Sequence, residues 1–500
     1  MSWRITQLLL SILGLSAVTM TLVFTLTDLL PSQQLALFGF RFTPLSTTMV
    51  ALISFIGWVV TRYAQTQFAE SIDEQRFRRR LFATIAAILF TVISDHLLLF
   101  WLGWIAVSSS LHQMLVFYPE RPRAVLAAHK KFIFARLAET LLATAFILFY
   151  LAHGTASIAE LQTVTLTPLS YTAMTLLAIV ALMKCAQLPV HGWLLQVVES
   201  PTPVSALLHA GIINLGGYLL LKFSPLLSQA IVAQWVLLVV AGLSLLIAAS
   251  VTMTRVSIKV RLAWSTVAQM ALMLVEIALG LYSIALLHLL AHSCYKAYAF
   301  LSAGSVVDQA ERATLSGYQL PSLGAFTVAI LLSLMIAAGL YAVGLITGLL
   351  APWLAVFMAL TLWFATQCRR QQPLLALKAV FWGVFWLALY KVVKTLLGYL
   401  LPEAQATLTA LSAADLWISW LLLMVLTVYL VLSYQPYTAF SSRLFVALNA
   451  GFYLDEWATR MTLWVWPIAL PHRSTPSTEV ALHQSNGDTP SRSATQQGGH

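Results

Sequence analysis

Residues 181–223 read ALMKCAQLPVHGWLLQVVESPTPVSALLHAGIINLGGYLLLKF, and this stretch decides how the chain folds. It is apolar at both ends, but it contains Lys184, His191, His209 and Lys222, and prolines interrupt it at two points. An ionisable group at membrane depth costs roughly 2.5–3.5 kcal/mol on insertion scales and by default indicates an ion or proton pathway. Non-helical backbone is tolerated at that depth only where protein or a water-filled cavity surrounds it. The stretch therefore predicts the centre of a transport site.

The composition of the whole chain is typical of a polytopic membrane protein. Of its 500 residues, 60% are hydrophobic and 9% are charged, whereas a soluble domain has about 25% charged residues. The mean hydropathy is +0.84. The basic residues behind the net charge of +10 lie in short loops between apolar runs, where they set membrane orientation rather than bind nucleic acid. Cys185, Cys294 and Cys368 show neither a disulfide framework nor the spacing of zinc ligands, so we expect no metal or cofactor in this chain.

The apolar runs predict an all-α membrane protein with about fourteen transmembrane helices, at about 20 residues per span. TDLLP follows the first run, Ile5 to Leu26, where a cleavage site would need small residues, so we expect a retained helix rather than a cleaved signal. Residues 80–118 could form one long helix, but two spans that turn at Ser94 to His96 fit better. The helices are predicted near residues 5–27, 43–63, 80–96, 97–118, 126–152, 168–190, 203–223, 228–250, 260–280, 283–306, 322–348, 350–366, 376–400 and 416–436.

Basic residues are distributed unevenly between the loops. Loops 153–167 and 401–415 contain no Lys or Arg, whereas loops in the alternate positions are rich in both. Because loops rich in Lys and Arg stay on the cytoplasmic side, we expect both termini in the cytoplasm and the chain in the cell inner (plasma) membrane. The basic loops are 64–80, 119–131, 251–261 and 367–378.

These patterns divide the chain into five parts. Residues 1–79 are N-terminal helices, 80–310 form the proton-translocation core, and 311–440 are C-terminal transmembrane helices. Residues 441–470 are amphipathic and rich in tryptophan, which favours an interfacial segment. Ser, Thr, Gln, Gly and Pro dominate residues 471–500, which predicts a disordered tail.

Charged residues within the predicted fifth and sixth helices have two interpretations each. Arg136 and Glu139 are three residues apart and share a helix face, so they form either a structural ion pair or a carboxylate that tunes a nearby lysine. Lys184 lies shortly before Pro189, and it either snorkels to the interface or lines a cavity at the helix break. The break favours the cavity.

The polar residues that follow the break are also open to two interpretations. His191 is either a loop residue or part of the site, and Lys222 fits an interfacial anchor at a helix end. His209 is either a hydrogen-bonded tie between helices or a member of a relay with Lys184. Its closeness to Lys184 in sequence favours the relay.

The tenth helix carries the most specific pattern, because His288, His292 and Lys296 repeat at i, i+4 and i+8 and so share one face. A metal site would need further carboxylate or thiolate ligands, which the neighbourhood lacks. Histidine titrates near neutral pH, so the pattern favours a proton relay. Weaker relay candidates are Glu276 in the ninth helix and the pair Lys391 and Lys394 in the thirteenth, which could equally form an exit half-channel or snorkel.

The motifs resemble a known superfamily. LMKCAQLPVHGWL with ESPTPVSALLHAG resembles the signature of the antiporter-like subunits of respiratory complex I (subunit 5 type) and of multisubunit Mrp-type cation/proton antiporters. VSIKVRLAWSTVAQ, HLLAHSCYKAYAFLSAGS, KFIFARLAET and NAGFYLDEW resemble further segments of these proteins. The resemblance implies an antiporter-like fold with a broken helix. It also implies a proton relay of Lys184, Lys296 and Glu139 with Arg136, His209, Lys259, His288 and His292 alongside.

Two differences from the complex I subunits indicate which members of the superfamily this chain resembles most. Complex I pumps usually carry a glutamate directly after the tryptophan of the fourth helix, but FWLGWIAVSSS has Leu102 there, and no acid lies between Asp95 and Glu120. The long lateral helix of the complex I subunit is also not expected. With both departures the chain is similar to the DabB family, the membrane subunits of energy-coupled inorganic carbon pumps.

The DabB resemblance implies a division of labour between two subunits. The membrane subunit conducts protons, or sodium, and couples the cation gradient to inorganic carbon uptake. A soluble zinc-containing partner, DabA, hydrates carbon dioxide to bicarbonate, so this chain is expected to have no catalytic site of its own and to work in a heterocomplex.

Two other functions remain open from the sequence. One is a proton-pumping antiporter-like subunit of a respiratory NADH dehydrogenase, a hydrogenase or an Mrp-type complex. The other is a structural membrane scaffold whose buried charges are only ion pairs.

Overall fold

The computed structural model describes residues 2–26, 35–197, 200–305, 321–342, 348–367, 373–398, 400–401 and 411–468. These residues are almost entirely helical, which confirms the all-α membrane class. The predicted tail at 471–500 and the predicted boundary at 310 lie outside the described residues.

Each of the predicted spans coincides with a helical segment. Among the described residues, eleven helical spans are long and apolar enough to cross a membrane, and one of them, Thr202–Lys222, consists of two short helices. Pro168–Lys184 and Leu350–Thr366 are shorter apolar helices, and Glu74–Ile93 begins with a charged turn. Helices of eight or more residues are labelled in chain order, and the short helices Ile158–Leu161, Gly192–Gln196 and Ser224–Leu227 lie between them. The first eleven labelled helices are α1 (Trp3–Leu26), α2 (Pro44–Gln67), α3 (Glu74–Ile93), α4 (Leu97–Leu115), α5 (Pro122–His153), α6 (Pro168–Lys184), α7 (Thr202–Ala210), α8 (Leu215–Lys222), α9 (Ile231–Thr252), α10 (Ile258–Ala278) and α11 (Tyr282–Leu301). The others are α12 (Leu323–Ala342), α13 (Leu350–Gln367), α14 (Pro373–Gly398), α15 (Ala413–Tyr434), α16 (Ala439–Asn449) and α17 (Glu456–Val465).

The turn predicted between the third and fourth helices is confirmed. A short antiparallel hairpin, β1 (Leu35–Leu37) and β2 (Phe40–Phe42), lies beside it. The carbonyl of Gly39 in the hairpin turn accepts the backbone N–H groups of Asp95 and His96 at 2.8 and 3.2 Å. This contact satisfies the backbone where α3 ends and α4 begins.

The quoted stretch lies at the centre of the molecule. In Thr202–Lys222 the whole apolar window is buried inside the protein, whereas 11% of the window in α1 is buried. The broken pair α7–α8 is therefore enclosed by other helices, with α6 packed against α8 and α11 packed against α7.

Several predicted helix bounds differ from the structure, and one predicted span is broken. Helix α5 begins at Pro122 rather than 126, because proline is favoured at the first helical position, and the predicted basic loop 119–131 is therefore partly helical. Helix α6 ends at Lys184 rather than 190, and Ala186 follows with a φ of 52°. The α7–α8 span was predicted as continuous, but it breaks between Ala210 and Leu215 without a proline.

The segment predicted as interfacial folds as a C-terminal arm, residues 439–466, made of α16, a 3-10 turn at Gly451–Tyr453 and α17. One side of the arm packs on α5, where Trp466 stacks on His129 with ring centroids 3.8 Å apart. Its other side exposes aromatic rings, as at Trp464, which is 83% exposed. The arm is amphipathic, as the sequence indicates.

Candidate proton pathway

The Arg136–Glu139 pair forms as the spacing predicts. The guanidinium and carboxylate approach to 2.7 Å, with the Glu139 side chain 5% exposed and that of Arg136 38% exposed. Trp101 of α4 donates its indole N–H to the Glu139 backbone carbonyl at 2.9 Å, which ties α4 to this turn of α5. The carboxylate is therefore held at a buried position with its charge balanced by arginine.

Lys184 is the last residue of α6 and turns inward. Its ammonium lies over the ring of Trp104, 4.6 Å from the centroid. Together with Lys131 and Ser108 it lines a cavity of about 30 Å³. The cavity expected beside Lys184 is thus present.

Leu102 does not occupy the position that faces this lysine. It is 46% exposed on the outside of α4, whereas Trp104 and Ser108 face the cavity. The turn of α4 that follows Leu102 therefore presents the side chains that lie beside Lys184.

The break between α7 and α8 is stabilised by side chains. Asn214 donates its amide to the Ala210 carbonyl at 2.9 Å, and the Cys185 thiol donates to the Ile213 carbonyl at 3.5 Å. Both bonds satisfy backbone oxygens near the interruption, as a break at membrane depth requires. A Cβ at Gly216 would lie 2.5 Å from the Cys185 sulfur, so glycine is needed for α8 to approach α6.

A second cluster forms where α7, α10 and α11 meet. Lys296 is completely buried, and its ammonium donates to the Leu262 carbonyl at 2.9 Å and to the Ser265 hydroxyl. His209 shares a hydrogen bond with Thr266 at 3.1 Å, and its ring stacks on Phe300. His209 is therefore a tie between helices and also a buried titratable group beside this cluster.

His288 lies at the other end of the helix face that it shares with His292 and Lys296, and it contacts a carboxylate. His288 contacts Glu276 at 3.0 Å through Nδ1 and Gln269 at 3.0 Å through Nε2. The Glu276 carboxylate thus has the partner that a mid-span acid requires. His292 lies between His288 and Lys296, and among the described residues neither of its ring nitrogens has a hydrogen-bond partner.

The break connects the two clusters. The amide of Asn214 also donates to the Ser293 hydroxyl of α11 at 2.6 Å. Residues of the interruption therefore contact Cys185, next to Lys184, on one side and the helix of Lys296 on the other.

Four predicted candidates lie outside these contacts. Lys259 is half-buried at the start of α10, one turn before the carbonyl that accepts from Lys296. On α14, Lys391 is exposed and Lys394 is half-buried. His191 is buried with its ring 4.9 Å from that of Trp264.

Lys222 is not an interfacial anchor. Its side chain is buried, and its ammonium donates to the Ser94 carbonyl at the turn between α3 and α4. The expectation was wrong because this helix end is enclosed by α4 and the preceding turn.

Two buried lysines were missed because a Lys-Lys pair suggested a cytoplasmic loop. Lys130 is wholly buried, and its ammonium donates at 2.7 Å to the carboxylate of Asp455 and at 2.7 Å to the hydroxyl of Thr459, both in the C-terminal arm. Lys131 points into the cavity beside Lys184. The partners of Lys130 lie over 300 residues away, so local sequence carried no sign of them.

Comparisons of the sequence with a family model and with known proteins find related membrane proteins. Residues 94–386 match the family model described as NADH:quinone oxidoreductase/Mrp antiporter, transmembrane region. The probable inorganic carbon transporter subunit DabB of Hydrogenovibrio crunogenus is 46% identical over 438 residues, 86% of this chain and 84% of the relative. DabB2 of Halothiobacillus neapolitanus is 34% identical, over 85% of this chain and 80% of that protein.

Similarity to respiratory and Mrp proteins is more distant. NADH-quinone oxidoreductase subunit L of Mycobacterium tuberculosis is 33% identical over 277 residues, 54% of this chain and 44% of that protein. The solved Mrp complex from Dietzia sp. contains a chain with a TM-score of 0.61 and 20% identity, matched over 96% of this chain and 59% of that chain. The Mrp likeness shows a shared antiporter-like fold.

Proposed function

The chain belongs to the NADH:quinone oxidoreductase/Mrp antiporter transmembrane family and, within it, to the DabB inorganic carbon transporter subunits, and on that premise we propose that it conducts protons to drive carbon uptake. The observation that carries the proposal is a pair of lysines inside the helical bundle, the half-buried Lys184 beside the cavity and the fully buried Lys296. They lie on the two helices that pack against the halves of the broken helix. Glu139, His209, His288 and His292 complete the proposed relay, with Arg136 and Lys259 alongside and Glu276, Lys391 and Lys394 as further candidates.

The side chains favour protons over sodium. An ammonium group has three donors and no acceptor, so a lysine cannot ligate a sodium ion but can pass on a proton. We therefore propose the proton as the coupling ion, with sodium as the rival that an ion-replacement assay tests.

The free energy released when one proton crosses the membrane is sufficient to accumulate bicarbonate. A charge that crosses 100 mV releases about 2.3 kcal/mol, and a tenfold concentration ratio costs about 1.4 kcal/mol. One proton therefore supports roughly a 40-fold accumulation of bicarbonate. We propose that the carbon chemistry resides in a soluble zinc-containing DabA-like partner that hydrates carbon dioxide on the cytoplasmic side.

The test begins with a mild-detergent pull-down of the chain, identification of its partner and a zinc analysis. Uptake of radiolabelled bicarbonate is then measured for Lys184→Ala and Lys296→Ala, with exposed Lys378→Ala as the matched control. Both relay variants should lose uptake by about 100-fold, the scale of a lost proton-transfer group, and still bind the partner. A protonophore should abolish uptake, and removal of sodium should not. Near-wild-type uptake in both relay variants would overturn the proposal.

A second candidate is a pump subunit of a respiratory or hydrogenase complex. The identity to NADH-quinone oxidoreductase subunit L favours it, but that match covers 54% of this chain. Co-purification of iron–sulfur or quinone-reducing subunits, instead of one soluble zinc protein, would establish this function.

A further inference from the structure

Lys131 is a buried lysine that the proposed relay does not use. Its side chain is 5% exposed, and its ammonium donates to the Ser108 carbonyl at 2.5 Å and to the Ser108 hydroxyl at 2.8 Å. In the described part of the chain these are its only hydrogen bonds. An ammonium group has three N–H donors, so one donor remains for another partner.

The neighbouring lysine provides a contrast. Lys130 is neutralised by the carboxylate of Asp455 at 2.7 Å, whereas no described carboxylate lies within 4.0 Å of the Lys131 ammonium. The nearest acid on its own helix, Glu139, is paired with Arg136. A permanent charge at Lys131 would therefore lack a carboxylate in direct contact, which is typical of a group that binds and releases a proton rather than of a structural ion pair.

The cavity connects Lys131 to Lys184. Both side chains line the same space of about 30 Å³, with Ser108, Trp104, Trp193 and Ile212 among the walls. One water needs roughly 10–15 Å³ of such volume and at least two polar partners. The cavity therefore accommodates about two waters, and both amines and the Ser108 hydroxyl can bind them.

We propose that Lys131 is a further proton-carrying residue, which exchanges protons with Lys184 through water in this cavity. An N–H bond of the Lys131 ammonium breaks as its proton goes to a water oxygen, and that water gives another proton to the neutral amine of Lys184. One positive charge is conserved throughout. Two ammonium groups in one small cavity repel each other, so the arrival of a proton on one lysine favours its departure from the other. This inference rests on the proposed function.

The test measures internal pH in liposomes that contain the purified complex with its partner, in bicarbonate buffer under a potassium diffusion potential. Lys131→Met removes the amine, and Lys131→Arg keeps the charge and the donors but does not release its proton. Both should reduce proton entry by about 100-fold, the scale of a lost proton-transfer group. Lys130→Arg, which retains the ion pair with Asp455, is the adjacent control and should stay within about twofold of wild type.

The proton fluxes of these variants distinguish a proton-carrying role of Lys131 from a structural one. Loss in Lys131→Met with full activity in Lys131→Arg would assign Lys131 a structural role and overturn the inference. Normal flux in both variants, with loss in Lys184→Ala, would overturn the inference alone. Normal flux in Lys184→Ala would overturn the proposed function itself.

If neither Lys131 variant elutes as the intact complex, Ser108→Ala tests the inference in their place, because it removes one hydrogen bond of the Lys131 ammonium and retains the lysine. Slower flux then supports the inference, and unchanged flux overturns it.

Discussion

At the scale of single residues, the contact between Glu276 and His288 makes a specific prediction. Glu276→Gln preserves the shape but removes the charge that stabilises a protonated His288, at 3.0 Å in the wild type. A hydrogen bond to a charged group contributes about 1.5–3 kcal/mol, so proton flux should fall by about tenfold or more. Glu160→Gln, at an exposed acid in the 153–167 loop, is the control and should leave the flux unchanged. Equal flux in the two variants would remove Glu276 from the relay.

Single residues also show what the sequence could predict about the site. The Arg136–Glu139 contact and the common face of His288, His292 and Lys296 follow from helical spacing alone, and both are present. The partners of Lys130 and Lys131 could not be predicted, because Asp455 and Ser108 come from distant segments. The roles of Glu139 and of the face of His288, His292 and Lys296 in proton transfer stay predictions until flux is measured.

At the scale of elements, the C-terminal arm is held by a contact that only glycine permits. A Cβ at Gly192 would lie 1.4 Å from an oxygen of Asp455, so Gly192→Ala should displace the Asp455 carboxylate from Lys130 and Gln196 and loosen the arm. We expect faster tryptic cleavage at Arg443 and Arg460 and a lower melting temperature. Gly304→Ala, which meets nothing within 4 Å, is the matched control. Identical cleavage in both variants would show that the arm is not seated by this contact.

The elements themselves were predictable to different degrees. Apolar length determines where a chain can cross a membrane, and the predicted spans all coincide with helices. The break at residues 211–214 was not predictable, because no proline marks it. It is stabilised instead by the bond of the Cys185 thiol to the Ile213 carbonyl and by the bonds of the Asn214 amide to the Ala210 carbonyl and the Ser293 hydroxyl. The contacts with Cys185 and Ser293 exist only once α6 and α11 have packed against the break.

At the scale of the whole molecule, contacts place both ends of the described chain at the same end of the helical bundle. The Trp3 indole donates to Glu74 at the start of α3 at 2.6 Å. Arg80 near that end donates to the Gln113 carbonyl in the last turn of α4, and Lys130 in the first half of α5 holds Asp455. The opposite end carries the α3–α4 turn and the 153–167 loop, which meet where Leu97 donates to the Ala156 carbonyl. Arg41, on that side, is paired with Asp95 at 3.3 Å.

This arrangement predicts the orientation in the membrane. The Arg-rich first turns of α3 should face the cytoplasm because basic loops are retained there. In a background that lacks Cys294 and Cys368 and keeps the buried Cys185, exposed Thr163→Cys should react with a membrane-impermeant maleimide in intact spheroplasts. Ser71→Cys, exposed at the other end, should react only after lysis, which supplies the control that both thiols are reachable. The reverse labelling would place the termini and the C-terminal arm outside, where they could not meet a cytoplasmic carbon-hydrating partner.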